Sequence, residues 1–453
     1  MKNASYVLKE IQNDKEIKKI LPILKEQKTW LVGGYIRDLF LGLKSYDRDI
    51  VCLDDSCSLA KKIAKELDGT FIELDTENEI YRVVLRDKEN YFDVSQALNG
   101  DINLDAKRRD FTLNSIFYSY NDEVFFDPYS GIADLEKNIL RCSDINNFAD
   151  DPLRMLRVFR FMALYGFGAG DDIYNFIKNN HALVNSCARE RINQELIKLF
   201  SGKYCAEGLI CADECGLLSE IFPFVDEIKK IPPNTHHHLD LFHHSIETMR
   251  TIRLDNALLK LAAFCHDIGK PQTHTIEPSG RHRFIGHDDV GSKLIKPILK
   301  ELKFSKKQID YVSLMIKNHI YPSALMSAKD VQEKAKVRFV RKLYPYVEDI
   351  IELARADRLS ARGPQVSDEM VNENLNNLAE LLNFYYKIKP TLVSMPKLLD
   401  GKEIMEILNI KPSPVLGEIV DVLKEAQLEG VVCDKEGAKE FVLDYFKTYC
   451  KEM

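Results

Sequence analysis

The sequence predicts an α+β N-terminal domain followed by an all-α remainder, and three observations carry that prediction. From Leu31 to Val51 the chain reads LVGGYIRDLFLGLKSYDRDIV, which parses as strand, glycine turn, helix and second strand. Short apolar strands then keep alternating with helices to about Leu140. From Asp150 onward the pattern turns helical.

The bulk numbers bound the function. A chain of 453 residues with 45% hydrophobic and 29% charged residues has the balance of an ordinary globular protein; its length allows roughly two to four domains. The N-terminus is charged and lacks the apolar core of a signal peptide, and no apolar run approaches membrane-spanning length. A cytoplasmic protein with no membrane partner is expected. The ten cysteines include no CxxC pair, so buried free thiols are expected rather than a zinc site or disulfide framework. A net charge of −7 argues against a generally basic nucleic-acid coat, and any RNA binding must use local patches.

Taken in order, residues 1 to about 28 read as a helix entering the first strand. Gly33 and Gly34 let the backbone approach a ligand, and their N–H groups beside a helix start form a phosphate cradle. An Arg37-Asp38 pair opens that helix. On the next strand Asp47 and Asp49, two apart, face the same way. Paired carboxylates suit Mg²⁺ carrying a nucleotide triphosphate. A Gly-Gly pair or an Asp-X-Asp alone is ordinary; their conjunction at this spacing is the signal. Ser58 to Leu67 reads as an amphipathic helix, Thr70 to Leu74 and Tyr81 to Leu85 as strands, and Tyr91 to Ser95 as a strand carrying Asp93. Three cations before Asp110, Lys107-Arg108-Arg109, read alone as a solvated helix start. Phe126-Asp127-Pro128-Tyr129 and Gly131 to Leu135 make a turn and a helix cap. At Asp151-Pro152 a new helix begins, Pro suiting its first turn and Asp its N-cap. Asp151 and Arg154 share a face, which alone reads as an intrahelical ion pair.

These segments resemble a known family. GGxxRD followed by DxD is the signature of class II nucleotidyltransferases in the DNA polymerase beta superfamily, which holds bacterial CCA-adding enzymes and poly(A) polymerases. The resemblance implies that Asp47 and Asp49 are catalytic metal ligands, with Asp93 the candidate third carboxylate, and that Gly33, Gly34 and Arg37 position the triphosphate. The segment Arg108 to Asn114 resembles RRDFTxN, implying that Arg109, Asp110 and Asn114 contact ribose and triphosphate, with Arg108 a further phosphate candidate. Asp150 to Arg154 resembles EDxxR, in which Asp151 and Arg154 read the base; Asp150 stands where the family usually has Glu. Arg157 and Arg160 follow on the same helix as candidates for phosphate contact. Phe126 to Leu135 resembles the DPxxGxxDL segment that closes the catalytic domain, and Arg189 to Leu196 a helix that braces the base-reading one. The stretch from Asp93 to Arg109 is too short for the long flexible loop of typical CCA-adding members. It leaves open whether CCA, CC alone or the terminal A alone is added.

A second constellation follows. Ten of the eleven histidines lie between His236 and His319, and His236 to His238 read as a polar turn. His244, His266-Asp267 and Asp357 fit the H...HD...D pattern of HD-superfamily phosphohydrolases, and His287 and His319 extend it to a version able to hold two metals. Imidazole with carboxylate suits Mn, Ni, Fe or Co, and Lys270 is positioned by sequence to meet phosphate. Toward the C-terminus, Asp400 to Ile404, Pro412 to Gly417 and Glu429-Gly430 resemble the tail of HD-containing CCA-adding enzymes, where helices hold tRNA; Ser413 replaces a common glycine.

The expected organisation is a nucleotidyltransferase domain over 1–140, a helical base-reading neck over 141–233, an HD domain over 234–363 and a tRNA-binding helical tail over 364–453. The expected activity is template-independent transfer of CMP and AMP from CTP and ATP to the 3′ end of tRNA, with Mg²⁺ as cofactor and an HD phosphohydrolase activity possible beside it. Within the class the alternative is an enzyme adding only CC or only A, or a poly(A) polymerase. From other classes the alternatives are mainly an HD phosphohydrolase, or a non-catalytic RNA-binding protein. The sequence leaves the oligomeric state open.

Overall fold

The structure, a computed structural model, describes residues 1–233, 238–328, 331–394, 397–428 and 431–452. His236, His237 and Glu429-Gly430, singled out in the sequence, lie outside the described residues; His238 is exposed. The chain divides into two compact units, residues 1–225 with 301–303, and residues 226–300 with 304–453.

The first unit opens with two helices, α1 (Ala4–Asn13) and α2 (Lys15–Leu24), where the sequence suggested one. Asp14 makes the break: its carboxylate caps α2 by accepting from the N–H groups of Glu16 and Ile17. There follow β1 (Thr29–Val32), α3 (Gly34–Leu41), β2 (Asp47–Cys52), α4 (Ser56–Glu66), β3 (Thr70–Asp75), β4 (Ile80–Val84), β5 (Tyr91–Gln96), α5 (Ile102–Arg108), β6 (Phe117–Ser119), β7 (Phe125–Phe126) and α6 (Gly131–Lys137). The seven strands form one mixed sheet in the order β3-β4-β5-β2-β1-β6-β7. Only the β2–β5 pairing within it is parallel. β2 is therefore central, held by β1 on one side and β5 on the other, and its Ile50, Val51 and Cys52 are buried.

Lys107 to Asp110 ends a helix rather than starting one: α5 stops at Arg108, and Arg109 is extended. Propensity gave no direction here, because the helix is fixed by Asp101, which caps its start by accepting from the Asn103 N–H. Beyond the sheet run α7 (Asn147–Asp150), α8 (Leu153–Tyr165), α9 (Asp171–Asn180) and α10 (Arg189–Ser201). Phe111, fully buried, meets Phe148 and Phe161 edge-on with ring centroids 6.1 and 5.1 Å apart, tying the segment before β6 to α7 and α8.

The second unit is helical apart from a hairpin pairing His274–Ile276 with His282–Phe284. Helices Leu241–Thr251, Ala257–Cys265, Lys306–Asn318 and Val347–Ser360 pack around the histidines. Near the C-terminus, Gly401–Leu408, Pro414–Leu428 and Lys435–Glu452 are helices, the first opened by a reciprocal cap between Asp400 and Glu403. No described helix is long and apolar enough to cross a membrane. The nine described cysteines are free thiols, five of them buried.

Candidate active site

The strand–turn–helix around Gly33 builds the site. Gly33 has φ of 77° and ψ of −139°, and a Cβ there would sit 2.7 Å from Asp49 Oδ2. Only glycine fits. Asp47 and Asp49 point to one side of β2, as their spacing requires, while Arg48 points to the other. There Arg48 is buried and pairs with Asp14 at 2.6 Å; Tyr35 also donates to Asp14, at 2.7 Å. This brace was not read from the sequence, since Asp14 lies more than thirty residues away, at the break between two charged helices.

Asp93 faces Asp49 directly across the parallel β2–β5 ladder. Oxygens of Asp47, Asp49 and Asp93 lie within 4.8 Å of one another. Burial and then the charge of Asp47 push the Asp49 carboxyl up to about 7; burial and then Asp93 also raise Asp47. Asp47 Oδ1 is buried without a hydrogen-bond partner. Crowded acidic oxygens with an orphan among them suit a hard divalent cation. Asp93 differs from the other two, because Arg82 donates to both of its oxygens at 2.7 and 2.6 Å.

A cavity of about 390 Å³ opens over the pair, and its walls gather most of the sequence candidates: Gly33, Gly34, Arg37, Asp47, Asp49, Arg109, Asp110, Asn114, Arg154, Arg157 and Arg160, with Arg108. Asp93 and Asp151 are not on this wall. A continuous network sets the cationic groups. Arg37 donates to Asp38 and, at 2.8 Å, to Asn114 Oδ1; Asn114 in turn donates to Asp110 at 2.9 Å, and Arg157 pairs with Asp110 at 2.8 Å. Burial would raise the Asp110 carboxyl, but Arg157 and Asn114 hold it below the usual range. Arg108 and Arg109 both lean on Asp105, a fully buried carboxylate that sequence reasoning passed over. Its i, i+3 and i, i+4 spacing to the two arginines was the available signal. The wall also includes Tyr165 and Lys198, likewise unread.

The expected helical ion pair between Asp151 and Arg154 does not form, and Asp151 is not the side-chain cap of α8. Asp151 is instead gripped by Arg191 of α10 at 3.1 and 2.8 Å. Arg154 donates to the carbonyls of Asn147 and Arg108, at 3.1 and 2.7 Å. The reason is competition: a carboxylate at the end of α7 finds a two-pronged guanidinium on another helix. Arg160 pairs with Glu195 at 3.0 Å, so α10 holds both α8, at Arg160, and the end of α7, at Asp151. The segment from 126 to 135 is a support. Asp127 accepts from the N–H groups of Gly131 and Ile132, and Asp134 accepts from the Thr112 hydroxyl at 2.6 Å.

In the second unit the structure gathers His244, His266, Asp267, His287, His319 and Asp357. Nδ1 of His266, His287 and His319 lies 2.7–2.8 Å from the carbonyl oxygens of Ala263, Phe284 and Ile316. A carbonyl only accepts, so each Nδ1 carries the proton and each Nε2 turns a lone pair inward. The Nε2 atoms of His244 and His266, and those of His287 and His319, are 3.3 Å apart. The Asp267 oxygens lie 3.1 Å from His266 and His287, and Asp357 is 3.1 Å from His244. Facing lone pairs with two carboxylates fit a metal cation. Lys270 is 2.6 Å from Asp267.

The chain is similar to known proteins along most of its length. Residues 29–141 match the poly A polymerase head domain, 166–229 the probable RNA and SrmB-binding site of polymerase A, and 236–362 the HD domain. The A-adding tRNA nucleotidyltransferase of Deinococcus radiodurans is 31% identical over 425 residues, covering 91% of this chain and 94% of that protein. The CC-adding tRNA nucleotidyltransferase of Thermus thermophilus is 29% identical, covering 93% and 94%. Among solved structures, the Thermotoga maritima CCA-adding enzyme complexed with tRNA has a TM-score of 0.60 at 19% identity, covering 98% of this chain and 99% of that one. The Bacillus stearothermophilus CCA-adding enzyme in complex with CTP has a TM-score of 0.61 at 19% identity, covering 97% and 100%. The fold is that of CCA-adding enzymes, with a polymerase head followed along the chain by helical domains. The chain belongs to the tRNA nucleotidyltransferase family.

Proposed function

We propose that this enzyme transfers CMP and AMP from CTP and ATP to the 3′ end of tRNA without a nucleic-acid template, building or repairing the CCA terminus. The observation that carries the reading is the cavity in which Asp47 and Asp49 face Gly33, Arg37 and Arg109 while Arg154 enters from α8. The relatives named as A-adding and CC-adding tRNA nucleotidyltransferases, and the related folds complexed with tRNA and with CTP, support the choice of substrates.

Asp47 and Asp49 are the proposed Mg²⁺ ligands, with Asp93 beside them. Bound there, the cation supplies activation of the RNA 3′-hydroxyl and charge neutralisation at the α-phosphate and leaving pyrophosphate. The N–H groups at Gly33 and Gly34, at the start of α3, receive the triphosphate together with Arg37; Asp38 fixes that arginine. Arg109, Asp110 and Asn114 hold ribose and phosphate, and Arg157 and Arg160 line the approach. Asp151 accepts from an exocyclic amino group while Arg154 donates to ring acceptors, which suits C and A and penalises U and G.

The second unit is proposed as a separate metal centre. His244, His266, Asp267, His287, His319 and Asp357 would hold Mn, Ni, Fe or Co, which would supply an acidified water for phosphoester hydrolysis. The proposed organisation is transferase domain over 1–140, neck over 141–233, HD domain over 234–363 and tRNA-holding tail over 364–453, working in the cytoplasm. A second reading, in which only CC or only A is added, is favoured by one feature: the stretch between Asp93 and Arg109 is taken up by the end of β5, a short turn and α5, leaving no long loop.

Asp47→Ala tests the assignment. It is expected to abolish nucleotide transfer and leave any phosphohydrolase activity, with His266→Ala doing the reverse. Full transfer by Asp47→Ala would refute the active site.

A further inference from the structure

The cations on the cavity wall are nearly all engaged by this chain's own acceptors. Arg37 is paired with Asp38, Arg108 and Arg109 with Asp105, Arg157 with Asp110, and Arg160 with Glu195, while Arg154 serves two carbonyls. Lys198 differs. Its side chain is exposed on the same wall, and among the described residues no carboxylate lies within ion-pair distance of its Nζ.

Its place on the wall is also distinct. Gly33, Gly34 and Arg37 come from the turn and α3, and a Cβ at Gly33 would meet Asp49 Oδ2 and, at 3.5 Å, Arg109 Nη1, so the glycine turn, Asp49 and Arg109 lie together. Lys198 reaches the same cavity from α10.

We propose that Lys198 binds the phosphodiester beside the 3′-terminal nucleotide of the RNA acceptor, bringing that end of the strand to the acidic pair while the triphosphate occupies the glycine turn with Arg37 and Arg109. The inference rests on the nucleotidyl-transfer reading above and adds the residue that separates the two anionic substrates. A flexible, point-charge ammonium without a local partner suits a phosphate that must move on after each addition.

The experiment measures Lys198→Ala and Lys198→Arg against the parent enzyme, using tRNA lacking its CCA end, by steady-state transfer and by equilibrium tRNA binding across a salt series. Removing one charge-assisted phosphate contact is expected to raise the KM for tRNA by about 10- to 100-fold, with the KM for CTP moving less than about 2-fold. The slope of log binding constant against log salt should fall by about 0.7 to 1. Lys198→Arg should recover most of the affinity. A loss carried by the KM for CTP or ATP, or a salt slope equal to the parent's, overturns the proposal while leaving the transferase reading intact. A parent enzyme that neither binds nor extends tRNA overturns both.

Discussion

Arg191 of α10 holds Asp151 with two nitrogens at 3.1 and 2.8 Å, and Arg154, three residues further on, turns away to the Asn147 and Arg108 carbonyls. The two groups proposed to read the base are thus set by different neighbours. Arg191→Ala should loosen Asp151 while leaving the acidic pair untouched. The Arg191 side chain is half exposed, so stability should change by less than about 1 kcal/mol. Selectivity should change more, with the ratio of UTP to CTP incorporation rising about 10-fold. Competition assays with the four nucleotides check this, and an unchanged ratio would place base reading elsewhere.

Gly33→Ala tests the close approach at the turn. A methyl 2.7 Å from Asp49 Oδ2, at a positive φ, must move the carboxylate or the turn. Misplacement of a reacting group by about 1 Å costs on the order of 100-fold in rate, so transfer should fall at least that far with the fold retained by circular dichroism.

The buried brace behind β2 predicts a stability effect. Asp14 and Arg48 are 7% and 6% exposed and 2.6 Å apart. Asp14→Ala strands the guanidinium in the core and removes the α2 cap, which should cost about 3 to 5 kcal/mol in chemical denaturation of the first unit's transition.

Asp49 predicts a pH dependence. Its folded value of about 7 lies above the ordinary 3.8, so between those values the folded chain keeps a proton that the unfolded chain has lost. This group therefore erodes stability as pH rises through that window, and its cost is fully present above about 7. Metal-free Asp49→Asn should gain on the parent in melting temperature from pH 5 to pH 8. Added Mg²⁺ should stabilise the parent at pH 8 and the variant little. Parallel pH curves would contradict the assignment.

The second metal centre predicts separability. Purified parent protein should carry a transition metal by elemental analysis, His266→Ala should lose most of it, and both should transfer nucleotide.

Much of this molecule was legible in its sequence because its signals are local. Gly33, Asp47 and Asp49 are bound by one strand–turn–helix–strand, and the period of two on β2 alone sets both carboxylates to one side. The histidine cluster was legible by residue type and spacing. What failed depended on partners far along the chain. The bracing of Arg48 by Asp14, the capture of Asp151 by Arg191 and the bidentate hold of Arg82 on Asp93 each join residues that no local periodicity connects. Lys198 was missed because a lysine on a helix surface reads as solvated until the facing strand is known.

The most direct test incubates the purified enzyme and its Asp47→Ala variant with tRNA lacking CCA, tRNA ending in C and tRNA ending in CC, supplied with labelled CTP, ATP or both and resolved at single nucleotides. The account predicts extension by the parent to a complete CCA end and none by the variant. Products that stop at CC, or addition of A only to tRNA ending in CC, would select the single-step reading. No incorporation by the parent, or undiminished incorporation by Asp47→Ala, would contradict the account.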